Sequence, residues 1–335
     1  MFIVNSYSLA VIFCIITMLC WGSWANTQKL AAKTWRYELF YWDYVIGILL
    51  LSAILGFTLG SNGELGRGFL DDLSQVSRQN FWSAFAGGVI FNASNILLSA
   101  AISISGMAVA FPLGVGLALV LGVAVNYFTA PKGDPIILFL GVFLIMVAIV
   151  LNGIASGKLA KKEDNKSSNK GIWIALSAGV LMSLFYRFVA RAMDLDNFEY
   201  PTAGMVAPYA AFFIFSLGVF ASNFIFNTLL MKRPFVGKPV TFNAYFKGGL
   251  STHMVGILGG IIWGLGTALS FLSAGKAGAA ISYGLGQGAT MVAALWGVFI
   301  WREFKGGGIK INTLIIFMFL LFISGLTLVI SSGGN

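Results

Sequence analysis

Apolar residues recur along almost the whole chain in long runs, broken by short charged or Gly/Pro/Asn-rich stretches. Cutting at those stretches leaves ten segments, over residues 7–28, 40–60, 82–103, 107–128, 135–155, 171–191, 203–230, 250–273, 278–300 and 311–331. Each is close to the roughly 20 residues a helix needs to cross about 30 Å of hydrocarbon. A spanning segment must satisfy its own backbone hydrogen bonds, and a helix does so without a partner. The pattern therefore predicts an all-α polytopic membrane protein with ten transmembrane helices. Its weakest boundaries lie at 104–106 and 274–277, where two segments meet with hardly a loop between them.

Composition agrees with this pattern. The 335 residues are 58% hydrophobic and 10% charged, against about a quarter charged in soluble domains. The formal charge of +9 would fit a nucleic-acid binder only if the cations formed one face. They sit instead in short loops, so no nucleic-acid partner is expected. Arg67, Arg78, Lys132, Arg187, Arg191 and Lys276 lie toward one side; the other fifteen of the 21 Lys and Arg follow segments 1, 3, 5, 7 and 9. Because Lys and Arg are retained in the cytoplasm, both termini are predicted outside, in a multi-pass protein of the plasma membrane. No Lys or Arg precedes the first segment and no small-residue cleavage pattern follows it, so it reads as a retained helix. Cys14 and Cys20 share that segment and form no disulfide framework or zinc site.

Sliding the chain against itself by 172 residues lays Gly87-Gly88-Val89-Ile90-Phe91 on Gly259-Gly260-Ile261-Ile262-Trp263. The same shift lays Phe111-Pro112-Leu113-Gly114-Val115-Gly116 on Tyr283-Gly284-Leu285-Gly286-Gln287-Gly288, with Gly106 and Ala108 on Gly278 and Ala280. Segments 3 and 4 thus match segments 8 and 9, five apart. Five is odd, so the halves are expected to insert with opposite orientations, as two inverted five-helix repeats. Residues 1–157 form the first repeat, the basic stretch 158–170 the cytoplasmic linker, and residues 171–335 the second.

Polar residues inside spans are costly and so carry information. In the third segment Asn92, Asn95, Ser99 and Ser103 share one helical face. Segment 8 offers Trp263, Thr267 and Ser270; segment 9 offers Tyr283, Gln287 and Thr290; segment 1 adds Trp21, Trp24 and Gln28. With Phe111, this set supplies amides, hydroxyls and aromatic faces for a small neutral solute. The competing reading is that such residues join helices by hydrogen bonds. Trp35, Tyr37, Tyr41, Trp42 and Trp301 read as interfacial belts. Gly256, Gly260 and Gly264, like Gly284 and Gly288, read as small-residue contacts between helices.

Ionisable residues are few. Asp43 either complements a helix N-terminus or pairs with Lys33 or Arg36, or else forms a proton or cation site. Arg187 reads as an anchor at the membrane surface or as part of an outer gate with Arg191, Asp194, Asp196 and Glu199. His253, the lone histidine, is assigned no role. Neither a GxxxxGK[ST] loop, a metal-ligand cluster nor a nucleophile motif occurs, so ATP, metal, cofactor and enzyme activity are not expected.

Three stretches resemble the ureide permease family of the drug/metabolite transporter superfamily, beside the glucose/ribose and rhamnose permeases. They are Cys20-Trp21-Gly22-Ser23-Trp24, Tyr41-Trp42-Asp43-Tyr44, and the region from Gly87-Gly88 to Asn126-Tyr127. The resemblance implies a ten-helix secondary transporter with a central cavity for heterocycles such as allantoin, uracil or xanthine; the sugar branch implies a monosaccharide. It also raises the standing of Asp43 as a functional group. Two features depart from the pattern: the central loop is short and lacks a nucleotide-binding motif, and many superfamily members have cytoplasmic termini. A non-transporting membrane sensor is the remaining alternative, but no hydrophilic loop is long enough to signal.

Overall fold

A computed structural model describes residues 1–162, 169–302 and 304–334. Among the described residues ten helices are long and apolar enough to cross a membrane: α1 Tyr7–Ala31, α2 Tyr37–Phe57, α3 Arg78–Ser105, α4 Met107–Thr129, α5 Pro135–Leu159, α6 Asn169–Ala192, α7 Pro208–Lys232, α8 Leu250–Ala277, α9 Ala279–Ile300 and α10 Ile309–Ser331. Both their number and their order match the hydropathy reading. Of the linker expected at 158–170, residues 163–168 lie outside the described residues.

The two doubtful boundaries are single-glycine joints. Gly106 (φ 78°, ψ 161°) separates α3 from α4, and Gly278 (φ 84°, ψ 153°) separates α8 from α9. Only glycine reaches this backbone region without strain, so one residue suffices to end one helix and begin the next.

The 172-residue shift extends to the elements themselves. It carries Arg78–Ser105 onto the bounds of Leu250–Ala277, and the start of α4 at Met107 onto the start of α9 at Ala279. Even the short connecting helix Phe69–Gln75 falls over Phe242–Phe246. Packing follows the same rule: α3 lies against α6 and α7, as α8 lies against α1 and α2, and α4 rests on α6 as α9 rests on α1. At the tightest of these contacts a Cβ on Gly88 would stand 2.0 Å from the Phe215 carbonyl oxygen, and one on Gly260 1.9 Å from that of Tyr44. Helices without a hydrophobic force between them associate by such close backbone approach.

α5 and α10 pack on each other at the periphery, each only 33% buried over its most apolar window. Their outer side chains, including Leu140, Phe143, Ile316 and Leu320, are exposed and present a lipid-facing surface.

The loops segregate into two ends. The even end holds the loops after α2, α4, α6 and α8 with both termini, tied across by Arg67 to the Pro201 carbonyl (2.6 Å), Lys132 to the Gly275 carbonyl (2.6 Å) and Asp134 N–H to the Ser332 carbonyl (2.8 Å). The odd end holds the more basic loops, tied by Arg36 to the Val236 carbonyl (3.0 Å) and Lys170 to the Phe235 carbonyl (2.6 Å).

Candidate functional site

A small cavity lies at the centre of the bundle, lined by residues of α1, α3, α4, α6, α8 and α9. Trp21 and Trp24 enter from α1, Asn95 and Leu98 from α3, Phe111 from α4, Trp263 from α8, and Gln287 from α9. Trp263 stacks on Phe91 (centroids 4.1 Å, 25°) and on Trp21 (5.9 Å, 8°), forming a continuous aromatic wall. The Trp21 indole N–H donates to Thr267 Oγ1 at 3.1 Å, which fixes the ring plane. Asn95 donates to the Tyr41 hydroxyl at 3.3 Å, and both Asn95 and Gln287 line the space with their amides. Among the described residues no charged side chain lines it. Its volume is ≈ 20 Å³, room for about one water, so the helices must part before a ring can enter.

The residues singled out by sequence divide into two groups. Trp21, Trp24, Asn95, Phe111, Trp263 and Gln287 meet at the cavity. Asn92, Thr267 and Tyr283 do not line it. Asn92 donates to Ser222 Oγ at 2.9 Å and ties α3 to α7. Tyr283 donates to the carbonyls of Met182 (3.0 Å) and Ala118 (3.2 Å), joining α9 to α6 and α4. Phe91, Leu98, Val115, Met182, Phe185 and Ala289 complete the lining. Sequence reading missed them because an apolar side chain at a cavity wall looks the same as one in the core.

Asp43 and Arg187 stand elsewhere. Asp43 is buried near the odd end and pairs with neither Lys33 nor Arg36; it accepts from Tyr245 OH (2.6 Å) and lies 2.8 Å from His253 Nδ1. His253, given no role by sequence, is thus the partner of Asp43, brought there by the packing of α8 on α2. Arg36 pairs instead with Glu38, a second buried acid of α2. Trp35 stacks on Tyr245 (5.6 Å, 13°) and meets His253 edge-on (4.6 Å), closing the cluster. Trp35, Tyr37, Tyr41 and Trp42 are accordingly buried rather than set in a lipid-facing belt. Trp301 is half-buried and donates to Asn26 Oδ1 at 2.6 Å.

Arg187 is exposed on α6. Asp194 accepts from the Thr202 N–H (2.8 Å) and hydroxyl (2.7 Å) instead. Burial raises the Asp194 carboxyl, but those bonds and the Asn197 N–H outweigh it and hold it below its ordinary range. A depressed carboxyl stabilises the fold above the ordinary value of about 4 and loses that contribution as pH falls through the depressed one. Hydrogen exchange of residues 194–206 is expected to speed up only under that acid condition.

The ion pair at the even end is Arg67 with Asp72, at 2.8 Å. Burial pushes the Asp72 carboxyl up, against the Ala207 N–H, Arg67 and Gln75 that pull it down. Asp72 also accepts from Ala207 N–H at 2.7 Å, and Gln75 Oε1 accepts from Gly204 N–H at 2.6 Å, so this short helix clamps the 201–207 loop. Asp72→Ala leaves the Arg67 charge without its carboxylate and the Ala207 N–H without its acceptor. It should cost about 3 kcal/mol, read as a lowered melting temperature in detergent. At the odd end a vestibule of ≈ 620 Å³ opens beside the Arg36–Val236 tie, bordered by Gln28, Lys33, Trp35, Tyr37, Ile102 and Gly106.

Known proteins place this geometry. One solved crystal structure superposes with a TM-score of 0.61 at 14% identity, covering 97% of this chain and 96% of that one, and shares the fold. Ureide permease 1 of Arabidopsis thaliana is 25% identical over the full length of both chains, and ureide permease 4 of the same plant 24%. The probable glucose uptake protein GlcU of Priestia megaterium is 27% identical over 61% of this chain and 63% of its own. The profile of the ureide permease family matches residues 40–170 and 157–332, spanning every cavity-lining residue beyond α1. By that match the chain belongs to the ureide permease family.

Proposed function

We propose that the protein is a secondary transporter that carries a neutral ureide or nucleobase across the plasma membrane by alternating access. The observation that carries this reading is the uncharged central cavity, where the amides of Asn95 and Gln287 meet the aromatic faces of Trp21, Trp24, Phe111 and Trp263. An amide offers both a donor and an acceptor, as do the ring N–H and C=O groups of a ureide or nucleobase. Indole faces stack on a planar ring. A cationic solute would need a carboxylate, and none lines the space. The ureide permeases among its relatives support the substrate class.

Transport follows if the two five-helix halves are inverted and rock about the cavity between them. With the basic odd end cytoplasmic and both termini outside, the wide vestibule at the odd end and the clamped even end correspond to an inward-facing state. Proton coupling is assigned to Asp43 with His253 and Tyr245, the one cluster that sets a buried acid of a span against a histidine. Asp43→Asn in proteoliposomes should abolish uphill uptake driven by a pH gradient; unchanged uphill uptake removes Asp43 from coupling.

A monosaccharide is the second reading, favoured by the likeness to sugar uptake proteins and by aromatic walls that also suit the C–H face of a sugar ring. Thermal-shift measurement of the purified protein against allantoin, uracil, adenosine and glucose separates the two. Stabilisation by allantoin or uracil is expected, and stabilisation by glucose alone overturns the ureide assignment.

A further inference from the structure

The central cavity and the odd-end vestibule are separated by one helical turn. Trp24 and Leu98 line the cavity; Gln28 and Ile102, each four residues further along the same helix, line the vestibule. Across this turn Gln28 Nε2 donates to the Ser99 carbonyl oxygen at 3.1 Å, joining α1 to α3. Gln28 is 3% exposed and Ser99 fully buried, yet Gln28 Oε1 and Ser99 Oγ have no hydrogen-bond partner among the described residues. A buried polar atom left unpaired is costly. Gln28 and Ser99 stand at the turn between cavity and vestibule, where a polar solute in passage can pair with them.

The nature of the Gln28 bond fits a closure that opens. A carbonyl oxygen has two lone pairs, and in mid-helix that of Ser99 serves the α-helical ladder with one of them. The Gln28 amide takes the other, so it can leave without orphaning the backbone. Once swung aside, it brings a donor and an acceptor to whatever occupies the passage.

We propose that Gln28 is the inner gate of the transport path. Its bond to Ser99 closes the cavity from the vestibule, and its free carbonyl oxygen is the first group there to read an N–H-bearing solute. The closure stands on geometry alone; the solute it reads rests on the transport function given above. Gln28 acts by position, and it touches solute only in transit.

The test reports on the closure directly. In a Cys14→Ser, Cys20→Ser background, Val115→Cys places a thiol on the cavity wall, and its modification by a membrane-impermeant maleimide measures access from the vestibule. Losing one hydrogen bond of this kind should speed labelling by about tenfold in Gln28→Ala. Gln28→Met keeps much of the bulk but has no donor for the carbonyl, so it should label as fast; should Gln28→Ala misfold, this variant carries the test alone. Labelling of Gln28→Met at the wild-type rate overturns the gate, because side-chain bulk would then close the passage. Protection of Val115→Cys by allantoin or uracil reports separately on the substrate. A faster rate in the Gln28 variants without such protection upholds the gate and contradicts the ureide reading alone.

Discussion

Replacing Gly88 or Gly260 with valine is expected to prevent the bundle from assembling. A Cβ at either position would overlap a carbonyl oxygen of the facing helix, at 2.0 Å from Phe215 and 1.9 Å from Tyr44. Neither neighbour is a flexible side chain that can step aside, so α3 must part from α7, or α8 from α2. Overpacking of this kind costs at least about 3 kcal/mol, and the polar residues that rely on those seams, Asn92 on Ser222 and Asp43 on His253, lose their partners as well. Gly153→Ala is the control. That glycine is exposed on α5 with nothing within 4 Å of an added Cβ, so the change should be neutral or stabilising by about 0.5–1 kcal/mol. Monodispersity on size exclusion and the unfolding temperature in detergent read both results.

The second large effect is on uptake. Asn95→Ala and Gln287→Ala each remove an amide from the cavity. One lost hydrogen bond to solute should lower uptake by about tenfold, and the two together by about a hundredfold if they act independently. Asn92→Ala should behave differently. Its amide is engaged with Ser222, so the variant is expected to lose stability while keeping its apparent affinity for solute. Trp263→Ala discriminates less, because that ring is 4% exposed and removing it opens a hole among Phe91, Trp21 and Phe215.

The contrast between Asn92 and Asn95 shows where sequence reading stops. The ten spans were legible because hydrocarbon imposes length and composition on anything that crosses it. Which polar residue faces a cavity depends on rotation about the helix axis. Three residues along α3 turn the side chain by about 60°, enough to move the amide from α7 at Asn92 to the cavity at Asn95. Partnerships across the bundle were hidden for a related reason. Asp43 and His253 stand 210 residues apart, and Arg67 lies 134 from Pro201, so only the packed helices bring them together. Tyr41, Trp42 and Trp35 misled in the opposite sense. Aromatics near a span end resemble an interfacial belt, yet these three turn inward onto Asn95, Met231 and Tyr245.

The vestibule, the single turn at Gln28, the amide-lined cavity and the Arg67–Asp72 clamp follow one another from the odd end to the even end. Such an order suits a path that is open at one end and locked at the other, as alternating access requires.

Uptake of radiolabelled allantoin and uracil into proteoliposomes, with wild-type protein beside the Asn95→Ala, Gln287→Ala double variant, tests the central claim most directly. Saturable uptake of at least one of the two by wild type, reduced about a hundredfold in a double variant that remains monodisperse, is the predicted result. Equal uptake by both proteins, or uptake of glucose with none of either heterocycle, would contradict it.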